Sequence, residues 1–423
     1  MRPRRAVITG IGVVAPGGIG TRAFWRTILA GRSSTGPITL FDASRFRCRT
    51  AAECDFHPER AGLTTQQALR MDRAAQFAVV ATREALADSG LDPAGWQPER
   101  VAVSVGNAVG NTMTMEQEYA AGSDGGRLWL CDPDYTSRHA YSSMVPSSVA
   151  AEVAWECSAE GPVSVMSTGC TSGLDAVGYA VQLLAEGAAD VVVAGGSEAP
   201  VSPITVACFD ALKATSTRND DGEHACRPFD RDRDGLILGE GAAIFVIEEE
   251  TRARARGARI YCVLDGYASR ANGYHMTGLR PDGRDLAEAV RAALDAARVD
   301  PTEVDYVSAH GSGTRQNDAH ETAALKRSLG GHAYKIPVSS IKSMVGHSLG
   351  SIGAIEIAAC ALAIDGGAVP PTANLTSPDP VCDLDYVPRE AREHRVDVAL
   401  NVGSGFGGFQ TAMVLTAPGR AAA

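Results

Sequence analysis

The ten cysteines of this 423-residue chain include no Cys-x-x-Cys pair, so neither a zinc ribbon nor a redox dithiol is expected, and no metal site is expected. The chain also lacks a run of the roughly eighteen consecutive apolar residues that a membrane span needs. Positive charge is in the minority: 39 Lys and Arg face 50 Asp and Glu, a net charge of −11. That balance argues against general nucleic-acid or anionic-membrane binding, though not against a local basic patch for an acidic partner. The opening Met1-Arg2-Pro3-Arg4-Arg5 has the charge of a signal peptide, but Ala6 to Thr9 before Gly10 is too short for its apolar core. Scattered cysteines without an export signal lead us to expect reduced thiols in a cytoplasmic setting.

What the chain has is glycine, 45 residues of it, in an otherwise ordinary mix of 45% apolar and 21% charged residues. Ala6 to Gly10 reads as a buried strand. The following Gly10-Ile-Gly-Val-Val-Ala15 matches a dinucleotide fingerprint in its Gly/Ala form. Pro16, Gly17 and Gly18 break the run where a phosphate-binding helix should continue, so we expect a glycine-rich turn and no cofactor site there. Met71 to Leu86 carries helical spacing, with Asp72 to cap it, Gly90 to end it and a turn at Leu91-Asp92-Pro93. Val101 to Val105 is a strand. From Gly110 to Gly161 the pattern is irregular, as expected of loops and short helices that make pocket walls and partner contacts.

The second half repeats the order of the first. A helix with Leu286, Val290 and Leu294 ends at Val299-Asp300-Pro301, and strand Val304 to Ala309 follows, as Val101 to Val105 did. Asp397 to Ser404 matches Asp190 to Ser197 in length and in its ends. Strands alternating with helices predict a parallel sheet covered on its faces. Laid on one another, the halves place His347 over Cys170, Gly346 over Gly169 and Gly350 over Gly173, so Cys170 and His347 are expected at one site.

Cys170 lies between the apolar run Gly161 to Met166 and a helical pattern with Leu174, Val177, Val181 and Leu184, stopped by Gly187. Unpaired N–H groups and the helix dipole at such a start favour thiolate. A free cysteine equally often packs as a small hydrophobe, and this stretch alone leaves both readings open. His310, in Ser308-Ala309-His310-Gly311, and His347, in Val345-Gly346-His347-Ser348, sit at strand ends flanked by glycine, where α/β folds place ligands. His57, His139, His224, His320, His332 and His394 have no such link and read as structural or solvated.

Four segments carry a resemblance when taken in order: Ser167–Gly173, Ala309–Thr314, Lys342–Ser348 and Gly403–Gly408. From about Arg4 to Leu415 the chain resembles a β-ketoacyl synthase of the thiolase fold. Thr168–Asp175, Ala207–Thr215 and Gly311–Asp318 make it similar to the ketosynthase α subunit of bacterial type II aromatic polyketide synthases, apart from fatty-acid synthases. The resemblance implies two pseudo-symmetric α/β halves in a layered α-β-α-β-α core. We place these at 1–255, with insertions around 110–160 and 200–240, and at 256–423.

The resemblance also implies the chemistry. Cys170 would accept an acyl chain from an acyl carrier protein, and its N–H with that of Phe406 would form an oxyanion hole, Phe406 also gating the acyl pocket. His310 and His347 would stabilise the enolate left when a malonyl group loses carbon dioxide. Lys342 would pair with Glu321 and hold the histidines, with Asp318 in the same network. Thr277 and Thr314 match positions that hydrogen-bond a phosphopantetheine arm delivered by the carrier; no tightly bound cofactor is implied. A heterodimer with a chain length factor is expected, and neither nucleic acid nor membrane. Three alternatives share parts of this pattern: a fatty-acid elongating synthase, a cysteine hydrolase, and a non-catalytic chain length factor, which Cys170 argues against. The run Arg252, Arg254, Arg256 and Arg259 reads as a solvated helix face before a carrier-docking surface.

Overall fold

A computed structural model describes residues 4–92, 95–129 and 131–420; Pro93 of the expected turn lies outside them. Ten strands form the main path of an eleven-stranded sheet. In the first half they are β1 (Ala6–Ala15), β2 (Val101–Gly106), β3 (Val163–Met166), β4 (Val191–Glu198) and β5 (Gly241–Glu249). In the second half they are β6 (Cys262–Ala271), β7 (Tyr306–Ser308), β8 (Val338–Ser339), β9 (Val398–Gly405) and β10 (Phe409–Thr416). Their order across the sheet is 8-7-9-10-6-1-5-4-2-3. Each half therefore has the same internal order, and β1 and β6 join the halves through an antiparallel contact beginning at Ala6 and Leu264.

The expected parallel sheet is only partly realised. The outer three strands of each half are parallel, whereas β4, β5, β1, β6, β10 and β9 pair antiparallel along the middle. β10 is not apparent from helix–strand alternation, because it returns from β9 through the tight turn Gly405–Gly408 without a crossover helix.

Alternation along the strands separates the layers. Val101, Val103, Val191, Val193, Ile244 and Val246 pack outward with Phe77 and Ala78 of helix α1 (Arg73–Ser89) and with Val149 and Val153 of α2 (Ser148–Glu156). Ala102, Val192, Ala194, Phe245 and Ile247 point the other way, into a core shared with α3 (Ser172–Ala185) and α6 (Ile352–Gly366). Ala399, Met413 and Leu415 enter that same core from the second half. Val398, Leu400 and Val414 face α4 (Arg284–Ala297), whose outer layer is completed by α5 (Arg315–Leu329). The result is the layered α-β-α-β-α core, with α3 and α6 as its middle layer.

Two glycine contacts explain how tightly the layers close. A Cβ on Gly173 would lie 2.8 Å from the Ala354 nitrogen, and one on Gly353 would lie 2.9 Å from Leu174 Cγ, so α3 and α6 cross where both lack side chains. Gly10 and Gly12 do not form the expected turn. They lie inside β1, where a Cβ would come within 2.1 Å of the Ala85 carbonyl oxygen and 1.9 Å of that of Ala81, so α1 rests directly on the strand. Ile352 to Ala363 of α6 are buried all round. Leu349–Gly366 is long and apolar enough to cross a membrane by composition, but 83% of it is buried inside the fold.

The repeat holds, but its register differs from the overlay of the sequences. The one-turn 3-10 helices before α3 and α6 are Gly169–Thr171 and Leu349–Ser351, and their first residues, Gly169 and Leu349, both have positive φ (59° and 45°). Cys170 therefore corresponds to Gly350, not to His347. Gly350 and Gly353, three residues apart, can each be laid on Gly173, which permits a three-residue slip, and the short helix Lys342–Val345 in the second half alone conceals it.

Candidate active site

Cys170, His310, His347 and Phe406 follow the carboxyl ends of β3, β7, β8 and β9 and line one cavity of about 500 Å³. Thr277, Thr314, Phe209 and Arg315 line it as well, whereas Lys342, Glu321 and Asp318 lie behind its wall. Among the described residues no cluster of His, Cys, Asp and Glu is arranged to hold a metal ion.

Cys170 is buried, with 8% of its surface exposed. Burial pushes its thiol up to about 11, opposed by the charge of Lys342 and by a hydrogen bond from the Phe406 N–H, and reinforced by Glu198 and Glu356. The expectation that the helix start would favour thiolate is thus reversed, because desolvation of the anion outweighs the favourable dipoles. The turn that brings Phe406 here packs directly on the cysteine's own: a Cβ on Gly169 would be 2.9 Å from the Phe406 oxygen, and one on Gly405 would be 3.2 Å from the Cys170 nitrogen. The Phe406 ring is half-buried and stacks on Phe209, with centroids 6.1 Å apart.

The imidazoles of His310 and His347 meet edge to face, with centroids 5.2 Å apart. Burial holds both well below the ordinary histidine value, and the Lys342 charge adds to the effect, so both are neutral near pH 7. His347 Nδ1 accepts the Leu349 N–H at 3.1 Å, which leaves its proton on Nε2. His310 is fixed through its backbone: its N–H and that of Gly311 donate to Glu321 at 2.6 and 2.8 Å. Asp318 accepts from Phe229 N–H at 2.8 Å and Gly313 N–H at 3.3 Å and faces the Arg233 guanidinium, so it holds the same glycine turn from the other side.

Lys342 does not pair with Glu321. Its ammonium is hydrogen-bonded to Glu356 Oε1, and both groups are fully enclosed. Glu321 is consumed by the two backbone N–H groups, and α6 brings Glu356 to the lysine instead. Burial pushes Glu356 up to about 7 against the lysine's charge. Glu356 stands out in the sequence as the one charged residue between Ile352 and Ala363.

Glu198 was not anticipated from the sequence. It ends β4, fully buried, and accepts N–H groups of Ala108 at 2.5 Å, Val109 at 3.4 Å and Gly350 at 3.2 Å, tying the first half to the turn before α6. Burial pushes its carboxyl up to about 8, against these three donors. A folded value above the ordinary 4.5 means that this group's stabilising share is full below 4.5 and is lost as pH rises through 8. Glu198→Gln is therefore expected to gain on the wild type in Tm by about 2 °C or more between about pH 5 and about pH 8, read by thermal unfolding. A difference independent of pH would contradict it.

The remaining candidates have ordinary roles. His320 is buried, its Nδ1 2.6 Å from the Arg280 carbonyl oxygen. The four arginines of the basic run are engaged internally, Arg252 and Arg256 with Glu248, Arg254 with Glu250 and Arg259 with Asp365.

Comparison with known proteins covers nearly the whole chain. The β-ketoacyl synthase N-terminal domain matches residues 4–253 and the β-ketoacyl synthase C-terminal domain residues 261–376. The tetracenomycin polyketide synthase ketoacyl synthase alpha subunit of Streptomyces glaucescens is 62% identical over 415 residues, covering 98% of this chain and 97% of its own. Among solved structures, a type II polyketide synthase acyl carrier protein in complex with its ketosynthase bound to the hexaketide superposes with a TM-score of 0.92 at 38% identity, over 98% of this chain and 100% of the other. The ishigamide ketosynthase/chain length factor superposes with a TM-score of 0.90 at 34% identity, over 99% and 100%. The chain belongs to the β-ketoacyl synthase family and, within it, to the ketosynthase α subunits of type II polyketide synthases.

Proposed function

We propose that this protein joins a malonyl unit, with loss of carbon dioxide, to an acyl or polyketide chain held on Cys170, in aromatic polyketide biosynthesis. The observation that carries the reading is the convergence of Cys170, the Phe406 N–H and two neutral imidazoles on one cavity. The Cys170 sulfur attacks the thioester carbonyl of an acyl carrier protein, and the N–H groups of Cys170 and Phe406 receive the oxyanion. The carrier's phosphopantetheine thiolate leaves and takes up the proton that the cysteine gives up. With the thiol up at about 11, that transfer belongs to the attack itself and not to a resting thiolate.

A malonyl carrier protein then occupies the cavity. Its carboxyl-bearing C–C bond breaks, carbon dioxide departs, and the electron pair passes to the thioester oxygen as an enolate. Neutral imidazoles suit this step as hydrogen-bond donors, and the Nε2–H of His347 is one such donor. The enolate carbon attacks the acyl-Cys170 carbonyl, the C–S bond breaks, and a β-ketoacyl chain longer by two carbons leaves on the carrier. Thr277 and Thr314 stand on the cavity wall where hydroxyls fit the amides of a pantetheine arm. Phe406, stacked on Phe209, is placed to gate the acyl pocket.

The working unit we propose is a heterodimer with a chain length factor, fed by an acyl carrier protein. The residues Met115, Tyr119, Trp129, Tyr141, Met144 and Trp155 are exposed between β2 and β3, and Val163 is exposed on edge strand β3. This apolar surface suits a partner subunit. A cytoplasmic location fits ten free cysteines. We place the boundary between the halves at 255/256, in the segment between β5 and β6.

Mass spectrometry of products formed from malonyl carrier protein, with and without a chain length factor, tests the whole reading. Multiply ketonic chains formed only with the factor are expected. Elongation of fully reduced acyl chains instead would assign the protein to fatty-acid synthesis, and thioester hydrolysis alone would make it a hydrolase.

A further inference from the structure

Asp175 lies on the first turn of α3, five residues beyond Cys170, and is buried to 5% exposure. Four hydroxyls converge on its carboxylate. Thr168 and Thr171, which bracket Cys170, donate to Oδ2, Thr171 at 2.8 Å. Tyr267 and Thr411 donate to Oδ1, each at 2.9 Å. The first two belong to the nucleophile's turn in the first half. The second two come from β6 and β10 of the second half, and β10 begins immediately after the Gly405–Gly408 turn that presents the Phe406 N–H. Its partners are hydroxyls rather than cations, so the carboxylate's charge is dispersed over four oriented dipoles.

The sequence is shaped around this arrangement. Gly178, one helical turn after Asp175, faces the Tyr267 ring, and a Cβ there would lie 2.4 Å from the ring's Cε2. Gly403 lets β9 approach Thr171, whose Cγ2 would be 3.2 Å from a Cβ at that position. Room has been left on both sides for second-half groups to reach the carboxylate.

We propose that Asp175 is a positioning residue that sets the spacing between the Cys170 and Phe406 N–H groups by clamping the nucleophile's turn to the strand that follows Phe406. The inference rests on the synthase reading above and adds to it what holds the oxyanion hole together. An oxyanion hole works only when its donors are fixed at hydrogen-bond distance from the developing charge. Two donors from different halves of the molecule need a shared anchor, and a carboxylate with two oxygens, one facing each half, supplies it. Removing the anchor should slow acyl transfer to Cys170, which needs the hole, far more than alkylation of Cys170 by iodoacetamide, which forms no oxyanion and feels only the weakened hydrogen bond from the Phe406 N–H to the sulfur.

Wild type, Asp175→Asn and Thr411→Val are each treated with an acyl carrier protein thioester and, separately, with iodoacetamide, and Cys170 modification is followed by intact mass. Acylation of the wild type checks the synthase reading itself; its absence would remove that reading and the inference with it. Given wild-type acylation, Asp175→Asn is expected to acylate at least about 10-fold more slowly, up to the roughly 10³-fold seen on losing an oxyanion donor, with alkylation slowed by a clearly smaller factor. Thr411→Val, which removes a single hydroxyl, should move the same way by less, and serves alone if Asp175→Asn does not fold. Unchanged acylation, or equal losses of acylation and alkylation, would overturn the proposal.

Discussion

Cys170→Ala protein is expected to form no acyl-enzyme and to lose chain elongation by more than about 10⁴-fold, yet to keep releasing carbon dioxide from malonyl carrier protein. The separation follows from which atoms each step uses. Acyl loading needs the sulfur and the N–H groups beside it. Decarboxylation needs donors at the thioester oxygen of the malonyl group, and the imidazoles of His310 and His347 share the cavity with the cysteine without depending on it. The converse substitutions, His310→Ala and His347→Ala, should each slow carbon dioxide release by about 10²- to 10³-fold, the scale of losing one preorganised donor, with acylation of Cys170 less affected. Intact mass and labelled carbon dioxide release read the two steps separately. Full elongation by Cys170→Ala would remove the nucleophile from the reaction. An equal loss of both steps would show that the cysteine and the histidines act as one unit.

The sequence made some of this legible and hid the rest for physical reasons. Asp72 and Gly90 bound α1 as their chemistry predicts, the aspartate accepting the Ala74 N–H and the glycine adopting φ of 65°. Apolar strands such as Val191–Glu198 stood out because both their faces are buried. α5 did not stand out: Asn317, Asp318, His320, Glu321 and Thr322 are buried on it, so polar groups serving the site replace the apolar stripe that would reveal a helix. β10 escaped because a hairpin return leaves no helix in the pattern. The residues meeting at the site were recognisable from glycine-flanked histidines and from family likeness. Their partners were not, because Lys342 could reach either Glu321 or Glu356 and only the packing of α6 against the site decides between them.

Lys342→Met is expected to destabilise the fold by about 3–5 kcal/mol and to slow alkylation of Cys170 at neutral pH. The substitution keeps the length of the side chain but strands the Glu356 carboxyl, 1% exposed, without its ammonium partner. The same charge is the largest influence drawing the Cys170 thiol down from the level burial sets, and the second influence, after burial, holding both histidines low. Its loss therefore raises the thiol further and lets both imidazoles rise toward 6.5 without reaching it, since burial remains. Histidines held low in the fold bind fewer protons than in the unfolded chain, so their share of stability is lost as pH falls below 6.5. That acid sensitivity should be milder in the variant. The double substitution Lys342→Met with Glu356→Leu separates the two roles of the pair. Replacing a buried ion pair by apolar groups is often neutral, so more than half of the lost stability should return in urea unfolding. Thiol reactivity should not return, because the lysine acts on Cys170 more strongly than the glutamate opposing it. If the double variant alkylates like the wild type, Lys342 serves only to neutralise Glu356, and the electrostatic link from the lysine to the nucleophile does not exist.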